Sequence, residues 1–148
     1  MTPKDQQFFS TVVPRWMRGN AAAVRLAADL IEVAHFIDDL VDGDFVPPAH
    51  AARLARLMLL EIPSNSFYRE NFSFLQPLLA QCWLQWQSSN VMEKEQKPGD
   101  REKCYMLRAG LYGFIHGMTV VAGGLEWAEE VGPEIYRAYG ETMENFDA

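Results

Sequence analysis

A chain of 148 residues is long enough for a single domain, 1–148, whose core needs neither disulfides nor a structural metal. Twenty acidic against thirteen basic residues give a formal charge of -7, which argues against any broad phosphate-backbone footprint on DNA or RNA. Apolar residues make up 49% of the chain but never form a run of about eighteen, so an ordinary soluble globular protein without a membrane span is expected.

The opening stretch "MTPKDQQFFSTVVPRW" has no basic start followed by a continuous apolar core, and the cytoplasm is the expected location. From Gly19 to Asp42 the pattern is helical: Leu26, Leu30, Val33, Ile37 and Leu40 recur at intervals of four and three, and Asn20 is placed to cap the start. Gly43 and Pro47-Pro48 supply the stop. A second helix is predicted from Ala49 to Glu61, burying Leu54, Leu57 and Met58 or their neighbours and interrupted by Pro63 and "SNS".

"SFLQPLLAQCWLQWQSSNVMEKE" reads as a third helix, with Pro77 near its first turn, where proline costs least. Glu93 to Lys103 is a charged surface turn around Pro98-Gly99. A fourth helix is predicted from Arg101 to Ala122, with Leu107, Leu111, Phe114, Met118 and Val121 on one stripe. Gly110, Gly113 and Gly117 on a connected side would allow close packing. After Gly123-Gly124 one or two short helices follow, divided near Gly132-Pro133. No alternating strand pattern or repeat competes, so the chain should be an all-α, compact helical bundle. Cys82 and Cys104 are too few and too far apart for a zinc knuckle or disulfide framework, and are expected as small buried hydrophobes.

The chemistry-bearing feature is "HFIDDLVDGD", His35 to Asp44. On an ideal helix His35, Asp38, Asp39 and Asp42 fall within about 120 degrees, with Glu32 at the edge. Asp38 and Asp42 stand one turn apart, and Asp39 is placed to complete a shell of hard oxygen ligands or orient its waters, which suits Mg2+. Carboxylates at a helix C-terminus oppose the macrodipole, and a bound cation would relieve that. The bland alternative is a solvated acidic face. Glu32-x-x-His35 has the spacing used in di-metal bundles, but His50 and His116 lack a matching glutamate, so Glu32 and His35 are expected to pack or to orient ligands from outside the metal shell.

"AHFIDDLVDGD" resembles the first aspartate-rich motif of the all-α isoprenoid synthases, especially the phytoene and squalene synthase branch. "VVPRWMRGNAAAVRLAADLIEVAHFIDDLVD" is similar to the general run of their opening helices. The resemblance covers roughly the first third of the chain and implies a reduced isoprenoid-synthase-like bundle. In it, Asp38, Asp39 and Asp42 would hold magnesium bridging to a substrate diphosphate. That family carries a second metal motif on a facing helix, for which Glu126, Glu129 and Glu130 are the candidates here; Glu141, Glu144 and Asp147 form a weaker group. Arg15, Arg18, Arg25 and Arg108 are candidate diphosphate partners, because guanidinium donates two parallel hydrogen bonds.

Two other readings stay open. Compact all-α nucleoside triphosphate pyrophosphatases are similar in size and in placing acidic helices around magnesium. The chain could equally be a non-enzymatic helical structural or interaction protein, with Trp83 and Trp86 at the interface of a homodimer. Any ligand would be a small phosphorylated molecule, and no residue stands out as a catalytic base.

Overall fold

The computed structural model describes residues 3–144 and Phe146; every regular element among them is helical, so the chain is all-α. Packing divides it into two compact units, 1–72 and 73–148. None of the described helices is long and apolar enough to cross a membrane.

In the first unit, α1 (Pro3–Gln7), a π turn (Phe8–Val12) and α2 (Val13–Trp16) run on without a break, an element that the opening stretch did not announce. Next comes α3 (Ala21–Val41), whose start is fixed as expected: the Asn20 side chain accepts from the Ala23 N–H at 3.0 Å. Its buried stripe is Ala23, Leu26, Ala27, Leu30 and Val33, but the expected continuation fails, because Ile37 is half-buried and Leu40 is exposed.

The second predicted helix is longer than its pattern suggested. It comprises α4 (Pro48–Arg56), a second π turn (Leu57–Glu61) and α5 (Ile62–Ser64), and it passes through Pro63 instead of stopping before it. Leu57 is buried and Leu54 half-buried, while Met58, expected in the core, is exposed. Both π turns stand at the same spacing before a proline. A proline ring collides with the carbonyl four residues back, and for Pro14 and Pro63 those carbonyls belong to Ser10 and Leu59, at the centres of the two π turns. The widened turn makes room for the ring.

The short α6 (Ser66–Glu70) is tied to α3 by Asn65. Its side-chain oxygen caps Tyr68 N–H at 3.0 Å, and its amide donates to the Ala22 carbonyl at 2.9 Å. Trp16, Met17, Leu26, Leu57, Ile62 and Phe67 form the core that these contacts close over.

The second unit contains α7 (Phe72–Glu95), α8 (Asp100–Arg108), α9 (Gly110–Gly123) and α10 (Leu125–Arg137). The predicted fourth helix is in fact two, broken at Ala109. At Gly110 a β-carbon would stand 2.8 Å from Gln85 Oε1, so α9 approaches α7 more closely than a straight continuation of α8 with side chains would allow. Gly117 likewise lies against Leu78, where a β-carbon would come within 2.5 Å.

The division expected near Gly132-Pro133 is absent, since α10 runs through both. Gly132 packs under the His116 ring, whose two nitrogens reach Ala128 before the proline and Tyr136 after it. Beyond α10 the chain is strapped onto α8. Arg101 Nη2 donates to the Met143 and Phe146 carbonyls at 2.7 and 3.0 Å, and the Tyr105 hydroxyl donates to the Glu141 carbonyl at 2.9 Å.

Candidate functional site

The acidic motif ends α3 in a defined way. The Asp44 N–H bonds to the Asp39 carbonyl at 2.9 Å and the Gly43 N–H to the Leu40 carbonyl at 3.2 Å, with Gly43 in the left-handed region at φ +79°. This 6→1 and 5→2 pair is a Schellman stop. Part of "DDLVDGD" is therefore accounted for by helix termination.

Asp38, Asp39 and Asp42 are all exposed. Among the described residues no group of three or more His, Cys, Asp or Glu side chains is gathered closely enough to hold a metal ion. The three aspartates share the end of one helix without converging on a point, and Glu126, Glu129 and Glu130, exposed along α10 in the second unit, do not converge either. Glu141 and Glu144 are exposed, and Asp147 lies outside the described residues.

Glu32 is held by Arg53, whose Nη2 donates to Oε1 at 2.9 Å and whose Nε donates to Oε2. His35, expected to be packed or placed behind ligands, is exposed. Of the candidate arginines, Arg25 is paired with Asp29 at 3.3 Å and with Glu61 at 3.6 Å. Arg108 pairs with Glu93, and its guanidinium lies 5.5 Å from the Phe146 ring centre. Arg15 and Arg18 are exposed at the end of α2 and just beyond it.

The polar constellation that does assemble in the first unit was not singled out from the sequence. Asp29, only 4% exposed, meets Arg25; Glu61 bridges Arg25 and Arg56, the latter at 3.0 Å; Glu32 meets Arg53. Three carboxylates thus face three guanidiniums. Burial pushes the Asp29 carboxyl above its usual range, and Glu61 and Glu32 add to this against the opposing pull of Arg25. The available signal was Asp29 itself, an acid inside the apolar arc formed by Leu26, Leu30 and Val33.

In the second unit, a cleft of about 250 Å3 lies between the end of α7 and α8, lined by Met92, Glu93, Gln96, Lys97, Asp100, Arg101 and Cys104. It falls below the roughly 300–1,000 Å3 of small-molecule pockets. Burial raises the Cys104 thiol and pushes Cys82 up to about 11, so neither is poised as a nucleophile at neutral pH.

The largest departure from an ordinary surface is α7. From Phe72 to Met92 it carries no charged side chain. Leu75 and Ser89 face the core, while Trp83, Leu84 and Val91 are 52%, 64% and 51% exposed. The Trp83 and Trp86 rings lean against each other, tilted at 44° with centres 5.3 Å apart. Apolar groups on both sides of a helix signal a buried or docked element.

No protein family matches this chain, and neither a curated protein nor a solved structure matches it.

Proposed function

We propose that this chain is a helical interaction protein whose working surface is the outward side of α7. The observation that carries the reading is the charge-free run from Phe72 to Met92 with Trp83, Leu84 and Val91 half or more exposed in a chain of net charge -7. Interface cores are depleted of charge and enriched in aromatic anchors, and an exposed apolar surface of this kind marks a binding face. A photo-crosslinking residue at position 84, compared with one at Glu126 on α10, tests it in cells. A discrete adduct from position 84 alone is expected; equal labelling at both positions, or none, overturns the reading.

A second reading gives the acidic end of α3 a divalent cation and, through it, a diphosphate-containing small molecule. It is favoured by the placement of Asp38, Asp39 and Asp42 at the end of a helix whose last turn holds no basic residue, where carboxylates oppose the macrodipole. Magnesium would neutralise the diphosphate and polarise its bridging bond. Calorimetric titration of magnesium with and without inorganic diphosphate is the test, on wild type and on Asp38→Asn/Asp42→Asn. Diphosphate-enhanced binding lost in the folded variant supports the reading, and no heat of binding in wild type removes it.

A further inference from the structure

We infer that the partner of the α7 face is a second copy of this chain, packed antiparallel about a two-fold axis at Leu84. The inference rests on the interaction reading above and names its occupant.

The first support is charge. Two copies each carrying -7 repel, and a face to which neither brings a charged side chain lets them meet without opposing like charges. From Phe72 to Met92 the helix meets that condition over a rise of roughly 30 Å.

The second support is register. Leu84, Val91, Pro77, Ala80 and Ser88 lie on the outward side of α7, all exposed. With an axis at Leu84, residues whose numbers are equally spaced on either side face each other, so Leu84 meets its own copy. Val91 then meets Pro77, Ser88 meets Ala80, and Gln87 meets Gln81. Leu84 faces its own copy, small Ser88 faces small Ala80 and amides face amides, with no charged side chain opposed to another, an arrangement compatible with an isologous contact.

The third support is polarity. The same register sets Glu95, exposed at the C-terminal end of α7, beside Ser73 of the other copy, in a first turn that contains no acid. Its carboxylate, paired with Lys97 at 3.0 Å in its own chain, meets an uncharged residue there. A parallel pair would instead place Glu95 against Glu95. One helix pair of this length buries area at the low end of specific interfaces, about 1,000–1,200 Å2 in total, so the dimer is weak and concentration-dependent.

The test is mass by light scattering across a concentration series on the full chain. Wild type is expected to rise toward twice the chain mass, and Leu84→Lys and Leu84→Glu, each folded by circular dichroism because Leu84 is exposed, remain monomeric. Mixing the two variants one to one restores the dimer, because the residue on the axis meets its own counterpart. Under oxidation Leu84→Cys forms a covalent dimer and Val91→Cys does not, with wild type, whose Cys104 is buried and Cys82 half-buried, as the control.

A wild type that stays monomeric at every concentration, variants that dimerise like wild type, or a mixture that fails to recover overturns the inference. Crosslinking of Val91→Cys equal to that of Leu84→Cys overturns the antiparallel register. A monomeric purified chain that still gives an in-cell adduct at position 84 with a mass other than its own rejects the homodimer and retains the interaction reading. Loss of the adduct altogether rejects both.

Discussion

His116 donates from Nε2 to the Ala128 carbonyl at 2.7 Å, and its other ring nitrogen lies 3.1 Å from the Tyr136 hydroxyl. A carbonyl only accepts, so Nε2 carries the proton, and in the neutral ring Nδ1 accepts from Tyr136. One side chain of α9 thereby grips α10 at two levels, with Gly132 beneath the ring between them.

His116→Ala is therefore expected to lower stability by about 1–3 kcal/mol, the usual range for a lost hydrogen-bonding partner at a packed contact. Gly132→Ala should act in the same direction, because its β-carbon would stand 2.9 Å from His116 Nε2. Urea denaturation reads both. An unchanged midpoint in both variants would mean that the grip adds nothing net.

Asp29 sets a pH dependence. An acid whose folded pKa is raised holds its proton more readily folded than unfolded. It therefore favours the fold below its ordinary value of 3.8, and that contribution disappears as pH climbs through the raised value. Asp29→Asn removes the buried charge and should melt a few degrees above wild type at pH 7, on the order expected for a small stability gain in a domain of this size. The difference should close below pH 3.8, where the wild-type carboxyl is protonated in both states. Melting curves at the two pH values give the answer, and a variant less stable than wild type at pH 7 would show that the Arg25 pair outweighs the burial.

Gly43 is required by backbone conformation, not by space. A β-carbon there meets nothing within 4 Å, yet φ is +79°. Gly43→Ala should cost about 1–2 kcal/mol from the left-handed conformation alone, and Gly43→Asn distinctly less. Equal losses in the two variants, measured by chemical denaturation, would point to a cause other than φ.

The thiols should be inert in the native chain. Cys104 donates to the Ser89 carbonyl at 3.5 Å from a buried position, and burial holds Cys82 near 11. A chromogenic disulfide reagent at pH 7 should label neither at an appreciable rate, and both should react promptly once the chain is unfolded. Rapid native labelling of one thiol would show that α7 or α8 opens readily.

What could be read from the sequence was what depends on near neighbours in the chain. Asn20, the spacing of Leu26, Leu30 and Val33, and Gly43 fixed α3 at both ends, because caps, stripes and left-handed stops are local. The break at Ala109 was hidden, since Leu107 and Leu111 keep the helical period across it. Gly110, just past it, lies against Gln85 and Cys82 of another helix, a closeness that spacing along the chain does not reveal. The passage of α10 through Pro133 was hidden for the same reason, because His116 supplies the reinforcing contact. At the candidate sites, the one-turn spacing of Asp38 and Asp42 was legible. Whether carboxylates converge is a matter of packing between elements, and Asp29, Glu32 and Glu61 meet arginines.

The ion pair between Arg56 and Glu61 joins residues five apart. In an α-helix such residues diverge around the axis by about 140 degrees, and the π turn at Leu57–Glu61 brings them onto one side. A π turn is a helix with one residue too many, so it is a ready-made site for a single-codon deletion. Removing exposed Leu59 or Leu60 would erase the surplus without taking anything from the core, and it would leave Arg56 four residues before Glu61, still on the same side of an ordinary α-helix at about 40 degrees. The reading phase of this one helix, more than the identity of either exposed leucine, is what ties the charges of α3 to those of the segment packed against it.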